Sequence, residues 1–87
     1  MAHRTNPRFW QMYAALPPDV RRQANKQFKL LKTSPQHPSL QLKRIGGRDG
    51  VWSVRVTQDY RAVAIEVEVG LQWFWIGTHA EYIRIIR

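Results

Sequence analysis

From Val51 to His79 apolar residues alternate in successive runs, a pattern that commits this stretch to β-sheet. Val51-Trp52-Ser53-Val54-Arg55-Val56 sends Trp52, Val54 and Val56 to one face and Ser53 and Arg55 to the other. Thr57-Gln58-Asp59 is the turn, and the chain returns through Tyr60-Arg61-Ala62-Val63-Ala64-Ile65. Glu68-Val69-Gly70 turns it again into Leu71 to Ile76. Ala62-Val63-Ala64-Ile65 and Trp73-Phe74-Trp75-Ile76 are apolar on both faces. Strands of that kind sit inside a sheet covered on each side. Helices must therefore come from the rest of the chain.

Residues 1–5 read as a loose end. Asn6-Pro7 reads as a helix cap and first turn, with Phe9, Tyr13 and Leu16 on one face. Pro17-Pro18 ends that helix, and Pro18-Asp19 opens a second one with Val20, Ala24, Phe28 and Leu31 as its apolar stripe. So short a link predicts an antiparallel helical hairpin. Residues 33–38 form a loop around Pro35 and Pro38. Leu40, Leu42 and Ile45 suggest a first strand, and 46–50 a glycine-rich hairpin loop. Thr78-His79-Ala80-Glu81 matches a capping box that starts a short terminal helix carrying His79, Tyr82, Ile83 and Ile86. Such a helix is too short to stand alone and is expected on the sheet face away from the hairpin. The expected fold is one α+β domain over residues 1–87, with a hairpin packed on a roughly four-stranded antiparallel sheet and a short C-terminal helix.

Charge divides the chain. Residues 1–50 hold ten basic residues against two acidic ones, a balance of +8, while residues 51–87 hold four of each. A cationic platform attracts polyanions such as nucleic acid, a membrane surface or an acidic protein, or it is simply a solvated face. The absence of cysteine excludes a disulfide scaffold, a thiolate metal site and thiol catalysis, and fits a reducing compartment. No apolar run approaches the ~20 residues of a membrane span and no signal peptide is visible, so the cytoplasm is the expected location. His3, His37 and His79 share no metal-ligand spacing, and no glycine phosphate loop or serine elbow is present. Neither a metal nor a cofactor is expected.

The strand pattern gathers a different set. Lys43, Arg55 and Arg61 come from three consecutive strands, and His79 leaves the last one at a helix start, with Tyr82 a turn further on. Cations in that arrangement could hold a phosphate and stabilise charge on it, and histidine titrates where proton transfer needs it. RNA cleavage by attack of the 2′-hydroxyl requires a base, an acid and cationic stabilisation. The same residues also fit a plainer reading. Arg55 and Arg61 could pair with Asp59 or Glu66, His79 could be a satisfied helix-start residue, and Tyr82 could be core. The four tryptophans and Phe74 read as core rather than stacking platforms.

Trp52-Ser53-Val54-Arg55-Val56, Asp59-Tyr60-Arg61-Ala62-Val63 and Trp75-Ile76-Gly77-Thr78-His79-Ala80-Glu81-Tyr82 resemble the central strands and ending of the RelE/ParE toxin superfamily. The resemblance spans nearly the whole chain. It implies a bacterial type II toxin neutralised by a small antitoxin that wraps its surface. One branch cleaves mRNA in the ribosomal A site, and another poisons DNA gyrase. On the cleaving reading this is a metal-independent, ribosome-dependent mRNA endoribonuclease that inhibits translation. Arg61 and Arg55 then stabilise the phosphate, His79 transfers protons and Tyr82 orients or assists. Lys43, Arg44, Arg48, Lys26 and Lys29 contact RNA. The alternatives are a non-enzymatic gyrase inhibitor, or an inactive member that only binds an antitoxin. Ser53 stands where some cleaving members have lysine, and Ile83 where relatives often have an acidic residue. The family's N-terminal strand is expected to be missing, which would leave a sheet edge open to antitoxin or to a second copy, as homodimer or hetero-oligomer.

Overall fold

The computed structural model describes residues 2–86; Met1 and Arg87 lie outside the described residues. The elements are β1 (Ala2–Thr5), α1 (Pro7–Ala14), α2 (Pro18–Thr33), β2 (Lys43–Arg44), β3 (Val51–Thr57), β4 (Tyr60–Val67), β5 (Gly70–Thr78) and α3 (His79–Ile85). They form one five-stranded sheet in the order β1-β5-β4-β3-β2. β1 runs parallel to β5, and the other pairings are antiparallel.

The expected hairpin forms. Asn6 caps α1 by accepting from the Phe9 N–H at 2.9 Å. Contacts between Phe9 and Phe28 (ring centroids 5.7 Å apart) and between Tyr13 and Asn25 (2.6 Å) run in opposite order along α1 and α2, as antiparallel helices require. The hairpin lies over one sheet face, where Phe9, Ala24, Leu31, Val54, Ala62, Ala64, Leu71 and Trp73 are buried. The other face carries a smaller cluster of Ile45, Val63 and Tyr82, with Trp75 and Ile86 packed on it, and this is where α3 sits. The capping box is complete: Thr78 Oγ1 accepts from the Glu81 N–H at 3.2 Å, and Glu81 Oε1 accepts from the Thr78 N–H at 3.2 Å. The Thr78 hydroxyl also donates to Glu81 Oε1 at 2.9 Å, and that bond first, then the one from the Thr78 N–H, holds the Glu81 carboxyl below its usual pKa.

Two expectations are corrected. Residues 2–5 are the fifth strand, not a loose end, so the sheet is mixed and the N-terminal strand is present. Four short, mostly polar residues carry no periodicity to read; the strand exists because β5 offers it a partner. The close approach of Ala2 to Gly70 shows the fit, because a Cβ at residue 70 would collide with the Ala2 backbone. The strand expected at Leu40–Ile45 shrinks to Lys43–Arg44. Pro38–Leu40 is a 3-10 turn, and Gln41 follows in left-handed backbone (φ +46°). Leu40 and Leu42 face the hairpin side while Ile45 joins Tyr82 on the other. Their odd spacing was already out of phase for one strand face.

Candidate functional site

The β3–β4 turn is where the candidate residues converge. Thr57 pairs with Tyr60 across the turn, and a register shift at Val56 brings Arg55 opposite Arg61. Bulges of this kind re-aim side chains at strand ends. All four carbonyls from Thr57 to Tyr60 are taken. Arg61 Nη1 donates to Thr57 O (2.6 Å), Gln58 O (3.2 Å) and Tyr60 O (2.9 Å). The His79 N–H donates to Asp59 O at 2.7 Å. One turn thus fixes a guanidinium and the start of α3 together.

Arg61 therefore pairs with neither Asp59 nor Glu66. Burial, and then the charge of Arg55, lower its pKa, while Tyr82 and Asp59 act in the opposite direction. Its Nε and Nη2 have no bond within the described residues, which leaves donors for an anion. The Arg55 guanidinium has no hydrogen bond or ion pair there either. The His79 ring is exposed, 5.7 Å from the Tyr82 ring. Tyr82 itself is buried at 4% exposure, and its hydroxyl donates to Ser53 Oγ at 3.2 Å. Of the two readings of Tyr82, the structure gives it a core position. Ser53 is 2% exposed and supplies the acceptor, so it is a structural residue, not an empty place for a cation.

The other cations do not form one surface. Lys43 pairs with Ser53 and shares its sheet face with Arg55 and Arg61. Arg44 lies on the hairpin face, bonded to Glu66 at 2.8 Å with its guanidinium 5.4 Å from the Trp52 ring centroid. Arg48 Nε donates to Ile86 O at 3.3 Å, tying the β2–β3 loop to the end of α3. Lys26 borders an open groove of about 1070 Å³ between α2 and the end of β3, together with Arg22, His37 and Arg55. Lys29 borders a different cleft, lined by Phe9, Trp10 and Trp73. Trp10, expected in the core, is 48% exposed.

Gln27 was missed. It is 8% exposed, and its Nε2 donates to Arg55 O (3.0 Å) and Ser39 O (3.2 Å). It ties α2 to the edge of β3 below the groove. The signal was a glutamine in phase with Val20, Ala24 and Leu31, a polar residue on a buried stripe. Among the described residues no three His, Asp or Glu side chains come together as metal ligands, and no helix is long and apolar enough to cross a membrane.

The fold corresponds to that of a class of small toxins. Residues 18–84 match the model of the ParE-like toxin domain, and the chain belongs to that family. The RelE of the RelB–RelE antitoxin–toxin complex from Methanococcus jannaschii is similar over 97% of this chain and 99% of its own, with 12% identity and a TM-score of 0.75. YafQ in the E. coli DinJ–YafQ toxin–antitoxin complex is similar over 92% of this chain and 93% of its own, with 15% identity and a TM-score of 0.71. The isolated E. coli RelE toxin is similar over 98% and 97%, with 16% identity and a TM-score of 0.64. No curated protein matches by sequence.

Proposed function

We propose that this toxin is a ribosome-dependent mRNA endoribonuclease, held in check by a cognate antitoxin. The observation that supports it most is the convergence on one turn of two arginines, Arg55 and Arg61, and an exposed histidine. In the proposed reaction a phosphodiester lies against the Nε and Nη2 donors of Arg61, with Arg55 beside it. His79 takes the proton from the ribose 2′-hydroxyl, whose oxygen attacks the adjacent phosphorus. The bond to the 5′-oxygen breaks, that oxygen takes a proton from water, and a 2′,3′-cyclic phosphate remains. The two guanidiniums stabilise the negative charge of the crowded phosphorus. Tyr82 positions α3 and the His79 ring and exchanges no proton. Lys43 and the groove cations Arg22 and Lys26 extend the contact with RNA backbone.

The test is mapping of mRNA ends by primer extension in a reconstituted translation reaction, with a matched reaction lacking ribosomes. Cuts at codon-spaced positions only with ribosomes support the proposal; intact mRNA under active translation overturns it.

Gyrase inhibition is the second reading. Two observations favour it: the matched domain is the ParE-like one, and neutral, buried Ser53 stands where some cleaving relatives have lysine. It predicts inhibited supercoiling by purified gyrase and no cut RNA.

A further inference from the structure

On the hairpin side of the sheet, away from Arg61 and His79, lies a cleft of about 450 Å³. Its walls are aromatic, with Trp10 exposed and Phe28 half-buried in front of the buried Phe9 and Trp73. Phe9 meets Trp10 edge to face at 5.2 Å and Phe28 at 5.7 Å, and Phe28 meets Trp73 at 5.8 Å. Two indole N–H groups close one side: Trp10 Nε1 donates to Thr5 Oγ1 at 2.7 Å, and Trp73 Nε1 to His3 Nδ1 at 3.2 Å. Lys29 and Lys32 are its charged lining residues, and no carboxylate lines it. The groove beside Arg55, by contrast, contains Asp19 and Asp59. An exposed tryptophan in an aromatic cleft with a purely cationic rim is costly to leave in water and marks a contact surface.

We infer that this cleft docks an acidic polypeptide segment that inserts one aromatic side chain between Trp10 and Phe28 and sets carboxylates against Lys29 and Lys32. The volume admits a ring, the edge-to-face walls extend to another ring, and the charges of rim and segment are complementary. Because the cleft and the Arg55–Arg61–His79 cluster occupy opposite sheet faces, the inference stands whether or not the protein cuts RNA.

The four tryptophans give a direct test. The full-length chain labelled with ¹⁵N shows four indole N–H resonances, assigned by single Trp→Phe variants. The probe is the unlabelled peptide acetyl-Glu-Glu-Phe-Glu-Glu-amide. Saturable shifts of the Trp10 and Trp73 indoles, with Trp75 on the other face unmoved, are expected. A matched peptide with serine at the centre should leave them in place. The surface variant Lys29→Glu/Lys32→Glu should keep the parental spectrum while raising the Kd roughly tenfold, the sum of two exposed charge pairs. No shift, or equal shifts with the serine peptide, overturns the proposal. So does an oligouridylate that moves the same two indoles more tightly than the peptide, which would make the cleft a nucleic-acid surface.

Discussion

Removing the Arg61 guanidinium should loosen the β3–β4 turn before it affects any chemistry. One nitrogen, Nη1, serves three carbonyls at 2.6, 3.2 and 2.9 Å. It carries two hydrogens, so at most two of these bonds are strong at once. A hydrogen bond to a charged group contributes about 1.5–3 kcal/mol, and the turn lies at the surface, where water can replace part of it. Arg61→Met keeps most of the apolar stem and also relieves repulsion from Arg55. The net cost is therefore about 2 kcal/mol. For a domain of this size that lowers Tm by roughly 8–16 °C. Arg61→Lys keeps a charge but not the fork, and should fall about halfway. Urea unfolding at neutral pH gives the free energies, and amide shifts of residues 57–60 and 79 locate the change. An Arg61→Met protein within about 0.5 kcal/mol of the parent, with those amides unmoved, would refute the anchoring role. A loss of toxicity in Arg61→Ala would then report chemistry alone; if the anchor is real, it reports both.

Three further outcomes follow from named contacts. Tyr82→Phe should cost about 1 kcal/mol by urea unfolding, and adding Ser53→Ala should recover much of it, because the orphaned buried hydroxyl goes too. Burial first, with help from Lys32, lowers the His3 pKa below 6.5, and neutral Nδ1 accepts from Trp73. The folded state thus resists protonation: this contribution is present above pH about 6.5 and is lost as pH falls through the depressed value. Denaturant titrations at pH 7.5 and 5.0 should show a shallower drop in His3→Gln than in the parent. Gly70→Ala should cost about 1–3 kcal/mol and detach β1, seen as loss of amide protection at residues 2–5.

Most of the sheet was legible because Trp52, Val54 and Val56 alternate with period two, and because the doubly apolar runs of β4 and β5 are short, rich in β-branched and aromatic residues and bounded by turns. Both helix caps were legible because Asn6 and Thr78 work locally. β1 was not, since its partners Gly70–Trp73 lie 68 positions along the chain, and nothing in Ala2–Thr5 announces the pairing. The pairing of Arg55 with Arg61 could be read from turn length, and the nearness of His79 from the strand that precedes it. What Arg61 binds could not be read, because carbonyl acceptors belong to every residue and only the folded turn aims them. Ser53 and Tyr82 were legible singly, as a missing cation and a late aromatic. Their partnership needed α3 on the sheet. Gln27 was visible as a polar residue in phase with Ala24 and Leu31, but its acceptors lie on β3 and the Pro38–Leu40 turn.

The rate of ribosome-dependent mRNA cleavage by His79→Ala tests the central claim most directly. His79 is exposed, and its structural bond to Asp59 comes from the backbone N–H, so the variant should fold as the parent does. With His79 as the proton acceptor, the single-turnover rate on programmed ribosomes should fall by about 10²–10⁴. A folded His79→Ala protein that cuts within twofold of the parent rate would contradict the account.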